Sequence, residues 1–539
     1  MVVAETRAEA EDAVAAIEAE FEPLEAVCDA EAALQADAPV IHPDFDSNLA
    51  WERRLEAGDV DAAFARDDVT LVERSFVFGR HTGVTLEPRC CVFDYDPAED
   101  QLTFWYSGQA PHMMQWILAN HLDIPEENVR VIAHDVGGSF GIKIHTYGDD
   151  IATAIAARLL KRPVKFVADR NESFLTDIHA RDQKVTGRLA VTQDGVIAGL
   201  EIDAISGIGP FSMYPRSSGI EMNQVLNLTG APYAIENYRA RGRVVFLNKN
   251  MMCQYRAVGH PIAMAVADGL VEEAAAEIGM DVVELRRRNL VADDAYPCAS
   301  ASGMKFDDLS HHKTLQRLVT EMGYAALRKD QDAQRRRQVH RGIGLVSMVE
   351  VTNPSPMFYG VGGAAISAQD GATARLDAGG ALHVSSSITE QGQGTNTILA
   401  QIAAEGFGLD MDRVKVTTGD TDTVPYGGGT WASRGAGIGG EAMLLAAKAL
   451  REQVLEVAAV LLQEATAALD IRSGLVVDRE TGNERMSLRD LARTVYYRGN
   501  ELPPHVKPEL VATRHYRVTD FPFVFTNAAM AAHVEVDVE

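Results

Sequence analysis

Cysteine is scarce in this chain of 539 residues, and basic residues are outnumbered by acidic ones. Asp and Glu total 77 against 50 Lys and Arg, and the net charge of −27 argues against nucleic-acid binding. The cysteines are odd in number and form no C-x-x-C pair, which argues against a disulfide framework and against a zinc or iron–sulfur site. Reduced thiols in the cytoplasm are the expected state of these five residues, Cys28, Cys90, Cys91, Cys253 and Cys298.

Long apolar runs are also missing from the sequence. No stretch reaches the ~18 consecutive apolar residues that a membrane-spanning helix requires. The first residues, Met1–Glu9, have neither the basic region nor the apolar region of a secretory signal. The sequence therefore predicts no membrane span and a cytoplasmic protein.

What the chain does have is glycine-rich loops that run into predicted helices. Glycine lets a backbone approach a ligand closely, and helix N-termini offer N–H groups to an anion. A large, extended, anionic cofactor is therefore predicted, and the alternative is that each loop is only a tight strand-to-helix turn. The loops and the helices after them are Gly137–Gly141 before Gly148–Leu160, Glu390–Gly394 before Thr395–Phe407, and Gly419–Arg434 before Gly439–Leu469.

The loops do not match the common nucleotide-binding motifs. None reads as G-x-G-x-x-G between a strand and a helix, with an acidic residue about 20 positions later. The segment Gly137–Lys143 also lacks the Ser or Thr that follows the lysine of a Walker loop. A plain nucleotide-binding protein is therefore disfavoured.

At these loops the sequence resembles the molybdenum-binding large subunit of the xanthine dehydrogenase, aldehyde oxidase and carbon monoxide dehydrogenase family. The resemblance covers essentially the whole chain, and its motifs occur in the family's order without specifying a substrate. Those motifs are Ser107–His112 (SGQAPH), Asp135–Lys143 (DVGGSFGIK), Asp169–Glu172 (DRNE), Gln254–Pro261 (QYRAVGHP), Glu284–Leu290 (ELRRRNL), Gly392–Gly394 (GQG) and Gly419–Arg434.

The resemblance implies an α+β, mixed α/β fold with two molybdopterin-binding domains. These domains would follow the tail of an N-terminal α/β hammerhead-type domain. The predicted division is residues 1–45 for that tail, 46–66 for a linker, 67–292 for the first molybdopterin-binding domain, and 293–539 for a second one that is incomplete at its C-terminus.

The family's site residues carry over to particular positions. Gln109, Phe140 and Gly141 would lie next to molybdenum, with Gln109 donating a hydrogen bond to an oxo ligand, and Arg256 would stabilise negative charge on the substrate. The alternatives are a polar residue that merely ends a strand for Gln109, a core position for Phe140, a structural salt bridge for Arg256, and a nearby carboxylate as the partner of Arg434. No side chain would ligate the metal directly. The predicted cofactor-binding residues are Gly137, Gly138, Gly392, Gln393, Gly394, Thr430, Ala432, Ser433 and Arg434.

The implied activity is that of a molybdenum hydroxylase that oxidises an aldehyde or an N-heterocycle with water as the oxygen source. The implied cofactor is molybdenum–molybdopterin, as the cytosine dinucleotide, with 2Fe-2S clusters and FAD on a small and a medium partner subunit in a dimer of heterotrimers. Ile144 stands where some relatives have a glutamate that contacts purines, which argues against xanthine. Ala257 stands where carbon monoxide dehydrogenases have a copper-binding cysteine, which argues against carbon monoxide.

The sequence predicts an incomplete chain at both ends. Val2–Glu5 is expected to form a strand and Ala8–Phe21 a helix, without the elements that precede them in the family. Ala532–Glu539 alternates with a period of two and is expected to be a strand without a partner. The family's G-x-G-E motif, whose glutamate is the catalytic base, is absent, so no catalytic residue is assigned. The alternatives are half of a split large subunit, with a separate C-terminal portion as partner, or an inactive paralogue.

Overall fold

A computed structural model describes residues 1–356, 367–519 and 524–538 and divides the chain into two compact units. The first unit comprises Met1–Phe21, Val84–Ser173 and Asn353–Phe523. The second comprises Glu22–Gly83, Phe174–Thr352 and Val524–Glu539. The short helix Arg170–Thr176 lies where the chain passes from the first unit to the second. Because these two units interleave along the chain, they do not test the predicted four-part division with boundaries at residues 45, 66 and 292. That division stays a prediction.

A four-stranded mixed sheet forms one part of the first unit. Its central strands bring Phe93 and Phe104 into a stack with ring centroids 3.9 Å apart, and both rings are fully buried. The helices Pro111–Leu122 and Gly148–Leu160 contribute apolar side chains to the same core. In spatial order the strands are Val129–Ile132, Gln101–Tyr106, Cys90–Asp96 and Val164–Val167.

The other part of the first unit is built on a second four-stranded sheet and two alanine-rich helices. Helices Thr395–Phe407 and Gly440–Leu462 pack closely, since a Cβ at Gly406 would lie 3.0 Å from the Leu444 side chain. The sheet has the order Val414–Thr418, Leu382–Ser386, Asp370–Leu376, Val511–Tyr516. This unit also contains the small sheet Leu469–Arg472, Leu475–Asp478 and Glu484–Ser487, and the helices Leu488–Tyr497 and Arg7–Ala15.

The second unit has a five-stranded sheet covered by the helix His260–Glu277. Gly187 allows this packing, because a Cβ there would lie 2.7 Å from the Leu270 side chain. The strand order is Leu49–Ala57, Tyr238–Val245, Ile197–Gly207, Gln183–Thr192, Val69–Phe78. The other elements are the helices Val60–Phe64, Ile220–Leu228, Val282–Asn289, His311–Glu321 and Tyr324–Arg335, and the short strands Cys298–Ala299 and Lys305–Phe306.

A long two-stranded ribbon also belongs to the second unit. His340–Thr352 pairs antiparallel with Val524–Val536 along 13 residues of each strand, with Gly344 opposite Ala532. The prediction that the final strand has no partner is therefore wrong. The apolar alternation that predicted the strand is real, but its partner lies far away in the sequence.

Several predicted elements can be compared directly with the structure. The helices Gly148–Leu160 and Thr395–Phe407 are confirmed at both ends. The long helix expected at Gly439–Leu469 instead begins at Gly440, after a π-helical turn, and ends at Leu462, because Gln463 adopts a left-handed conformation with φ 55°. The strand expected at Val2–Glu5 is not formed, and the helix expected at Ala8–Phe21 is the shorter Arg7–Ala15, which Thr6 and Glu9 cap reciprocally.

Among the described residues, no helix is both long enough and apolar enough to cross a membrane.

Candidate functional site

Four loops of the first unit meet at Gln109, through its side chain and its backbone carbonyl. Its Nε2 donates to the carbonyl of Thr430 at 3.0 Å, and its Oε1 accepts the N–H of Gly141 at 3.2 Å. Its own carbonyl accepts the N–H of Thr430 at 2.9 Å and the hydroxyl of Thr389 at 3.0 Å. One nearly buried amide thus joins three predicted site segments, Ser107–His112, Gly137–Gly141 and Gly419–Arg434.

A second amide, which the sequence did not single out, makes a similar connection. Gln391 donates from Nε2 to the hydroxyl of Thr389 at 2.9 Å and to the carbonyl of Thr430 at 3.0 Å. Its Oε1 accepts the hydroxyl of Ser139, which lies in the GGSFG loop, Gly137–Gly141. The only sequence signal for Gln391 was its position inside the EQGQG loop, Glu390–Gly394, immediately before the predicted residues Gly392, Gln393 and Gly394.

Strained backbone marks two of these loops. Phe140 has φ 54° and is followed by Gly141 with φ 98°, and the Phe140 side chain is 42% exposed, so it is not a core residue. Ala432 and Ser433 are also left-handed, with φ 49° and 53°. Non-glycine residues in this region cost about 1 kcal/mol or more and gather at ligand sites. The strain therefore supports a binding role for both loops.

A buried lysine, which the sequence also did not single out, supports the GGSFG loop. The side chain of Lys143 is fully buried and donates to Ser107 Oγ at 2.6 Å and to Glu87 Oε1 at 3.3 Å. The other oxygen of Glu87 accepts the N–H of Gly137 at 2.7 Å. Burial opposes ionisation of Glu87, but its contacts with Ser107, Lys143 and Gly137 outweigh burial and lower its pKa.

Gly137 and Gly428 are glycines because protein atoms approach them, whereas Gly392 and Gly394 face open space. A Cβ at Gly137 would lie 2.4 Å from Glu87 Cβ, and one at Gly428 would lie 2.3 Å from the guanidinium of Arg434. At Gly392 and Gly394, with φ 92° and 85°, a Cβ would meet none of the described residues within 4 Å apart from its chain neighbours. The last two are therefore the glycines whose open faces fit a ligand.

Arg434 is committed to a carboxylate inside the protein. Its fully buried guanidinium contacts Asp370 Oδ2 at 2.7 and 2.9 Å and donates to the carbonyls of Ser367 and Gln369. Asp370 also accepts the N–H of Gly428 at 3.0 Å. This is the carboxylate partner that the sequence left open, and a contact of Arg434 with the cofactor stays a prediction.

Among the other predicted cofactor-binding residues, Gln393 donates from Nε2 to the Thr389 carbonyl at 3.2 Å and to the Thr395 hydroxyl at 2.6 Å. Thr430 and Thr389 exchange two hydrogen bonds of 2.8 and 2.9 Å between hydroxyl and backbone. Gly138 has φ 96° beside the Phe140 ring. Their contacts with a cofactor stay predictions.

Arg256 belongs to the second unit, where it lies in a loop with left-handed residues. Ala257 has φ 60° and Gly259 has φ 75°, just before the helix His260–Glu277. The Arg256 side chain is exposed, and its carbonyl accepts a hydrogen bond from the guanidinium of Arg181. A role of Arg256 at the substrate stays a prediction.

The loops of the first unit fit the cofactor that the resemblance implies. They combine amide and hydroxyl groups from Gln109, Gln391 and Thr430, two open glycine faces and left-handed backbone at Ala432 and Ser433. Polar, uncharged groups of this kind suit a large pterin that itself carries the metal.

Comparisons with known proteins agree with this reading. Models of the molybdopterin cofactor-binding domain match residues 41–290 and 317–539. The nicotine 6-hydroxylase large subunit of Paenarthrobacter nicotinovorans is 31% identical over 545 residues, which cover 100% of this chain and 65% of that protein. The carbon monoxide dehydrogenase large chain of Hydrogenophaga pseudoflava is 29% identical, covering 97% of this chain and 67% of that one.

The structure of quinoline 2-oxidoreductase from Pseudomonas putida 86 is similar with a TM-score of 0.90 and 30% identity, covering 99% of this chain and 67% of that chain. The chain thus spans about two thirds of the length of these relatives. These comparisons confirm the mixed helix-and-sheet fold and the family that the motifs predicted. The chain belongs to the family of molybdopterin-binding large subunits that includes xanthine dehydrogenase and carbon monoxide dehydrogenase.

Proposed function

We propose that this chain is the cofactor-binding portion of a molybdenum hydroxylase that oxidises an N-heterocycle or an aldehyde, with water as the source of oxygen. The observation that supports it most directly is Gln109, whose amide joins Gly141 to Thr430 and is therefore held in one orientation. An enzyme of this type relies on positioned hydrogen-bond donors and fixed charge, since its cofactor carries out the redox step.

The proposal gives each predicted site residue a role. Gln109 would present its amide beside the metal, in the orientation that the Gly141 N–H helps to hold, and Phe140 would contribute an exposed ring at the same loop. Gln391, Gln393 and Thr430 orient the pterin. The bound molybdenum cofactor supplies the acceptor for the electrons of the substrate. Arg256 stabilises negative charge that develops on the substrate.

Two residues of this chain argue against particular substrates, and two similar proteins favour one class of substrate. Ala257 has no thiolate for a bridging copper, which argues against carbon monoxide. Ile144 has no carboxylate for a purine, which argues against xanthine. The similar proteins named for nicotine and quinoline act on N-heterocycles, and this favours an N-heterocycle over an aldehyde.

The assembly is part of the same proposal. The relatives are named as large subunits or large chains, which supports partner subunits in general. We assign 2Fe-2S clusters to a small subunit and FAD to a medium subunit, in a cytoplasmic dimer of heterotrimers that uses the cytosine dinucleotide. The catalytic glutamate would then come from a further portion of the large subunit. An inactive paralogue is the alternative.

Metal and pterin analysis tests the proposal. The chain, produced with its partner subunits in a host that makes the cofactor, should contain about one molybdenum and one pterin nucleotide per chain. Gln109→Ala should lower the molybdenum content, while Gln316→Ala, which changes an exposed glutamine of the second unit, should not. Wild-type protein with neither molybdenum nor pterin would contradict the proposal.

A further inference from the structure

Three backbone N–H groups of the EQGQG loop point to one side chain, Glu390, although that of Gln391 also donates to Gln393 Oε1 at 2.7 Å. Its Oε1 accepts the N–H groups of Gln391, Gly392 and Gly394 at 3.1, 2.9 and 3.1 Å. Its Oε2 accepts the N–H of Asn396, in the first turn of the helix Thr395–Phe407, at 2.9 Å. One carboxylate therefore engages four backbone donors of a glycine loop and a helix N-terminus.

Glycine loops before helices bind phosphates with convergent backbone N–H groups of this kind. Here the Glu390 carboxylate occupies the position that a phosphate would have. Consecutive N–H groups that converge on one point form an anion-binding nest, and the helix dipole adds to the attraction. The carboxylate of Glu390 belongs to the same loop as these N–H groups. It is therefore always available to them, and no ligand from solution is required.

Glu390 also ties this loop to the GGSFG segment. Its carbonyl accepts the N–H of Val136 at 3.3 Å, immediately before Gly137. The neighbouring Gln391 accepts the hydroxyl of Ser139 and donates to Thr430. The shape of the EQGQG loop is thus determined by contacts within the first unit.

We propose that Glu390 is a permanent internal anion, which fills the amide nest of the EQGQG loop and shapes the loop before any cofactor binds. The helix N-terminus at Thr395 then binds no cofactor phosphate, and the open faces of Gly392 and Gly394 are what the loop offers to the pterin. Glu390 is a positioning residue, and the inference depends on the proposed function only for the identity of that ligand.

Amide hydrogen exchange of the cofactor-free chain, made in a host that cannot synthesise pterin, tests the first half. The amides of residues 391, 392, 394 and 396 should exchange at least about tenfold more slowly in wild type than in Glu390→Ala, and loading the cofactor should add little protection. Glu390→Gln, which keeps one accepting oxygen, should be intermediate. Glu405→Ala removes an exposed glutamate from the same helix and should behave as wild type.

Inorganic phosphate tests whether the nest is filled. Added phosphate should restore slow exchange in Glu390→Ala, because it occupies the vacated nest, and should leave wild type unchanged. Phosphate or cofactor that newly protects these amides in wild type would show that the nest is open to a ligand, and would overturn the inference.

Cofactor content tests the second half. Molybdenum and pterin in Glu390→Ala, loaded with its partner subunits, should fall about tenfold and should recover in part in Glu390→Gln. Full retention in Glu390→Ala would refute the positioning role. If wild type itself never contains pterin, the proposed function fails, whereas the exchange and phosphate results still decide the role of Glu390.

Discussion

Arg181 and Glu221 form an ion pair inside the second unit, with side chains that are 7% and 0% exposed. Glu221 also accepts the backbone N–H of Arg181 at 2.9 Å and that of Gly259 at 3.4 Å. Arg181 in turn donates to the carbonyl of Arg256 and lies over the ring of Tyr255 at 5.5 Å. The pair therefore holds both ends of the loop that carries Arg256.

Breaking this pair should destabilise the second unit. Glu221→Leu leaves the Arg181 charge buried without its partner, which costs about 3–5 kcal/mol in comparable pairs. Denaturant unfolding should show that loss, whereas Glu236→Leu, at an exposed position, should change stability by less than about 0.5 kcal/mol. The double variant Arg181→Met/Glu221→Leu should recover much of the loss, and a single variant as stable as wild type would contradict the argument.

The sequence located the loops of the site but not the side chains that hold them. Glycine-rich segments before helices are local signals, so the loops Gly137–Gly141 and Gly392–Gly394 could be identified from the sequence alone. Gln109 and Thr430 are 321 positions apart, and only the family resemblance connected them. Lys143 and Glu87, 56 positions apart, had no such signal, because a charged residue in a sequence gives no sign that it is buried and paired.

The same reason explains the errors in the fold. The alternation in Ala532–Glu539 predicted a strand, but pairing is set by long-range contacts, and its partner His340–Thr352 lies almost 200 residues earlier. Helices bounded by clear local signals, such as Gly148–Leu160, were predicted at both ends.

Glu350 should make the second unit less stable at higher pH. Burial raises the pKa of this half-buried carboxyl from 4.5 to about 7, although Arg181 lowers it. Below about pH 4.5 the group is protonated in both the folded and the unfolded state. Between there and pH 7 only the unfolded state releases the proton, so stability falls as pH rises.

Glu350→Gln removes this dependence. The free energy of unfolding of Glu350→Gln minus that of wild type should be about 2–3 kcal/mol larger at about pH 8 than at about pH 4, because only wild type loses stability over this range. Urea unfolding across this range measures the difference, and Glu277→Gln, at an exposed helix position, is the control. Parallel pH profiles for Glu350→Gln and wild type would contradict the burial argument.

Gly137 should not tolerate a methyl group, although its φ is not left-handed. A Cβ there would meet Glu87 at 2.4 Å and displace the carboxylate that binds Lys143. Gly137→Ala should therefore cost about 1–3 kcal/mol. Gly148→Ala, at the first residue of a helix with no atom within 4 Å of the added carbon, should be neutral or slightly stabilising. Thermal unfolding of the two variants compares them, and equal melting temperatures would show that Glu87 moves without penalty.

Gly394 should be required for cofactor binding more than for folding. It has φ 85° and open space where a side chain would lie, so Gly394→Val adds backbone strain of about 1–2 kcal/mol but no clash within the protein. Gly323→Val is a matched control, because Gly323 has φ 66° and the same open surroundings at the start of a helix in the second unit. The two variants should lose similar stability. Only Gly394→Val should lose molybdenum and pterin, since its branched side chain projects into the face that we assign to the ligand.

Thermal unfolding, molybdenum content and released pterin nucleotide, measured together on the assembled complex, distinguish the two effects. Unchanged molybdenum content in Gly394→Val would remove this loop from the site, and equal loss in both variants would show that strain alone, not contact, explains it.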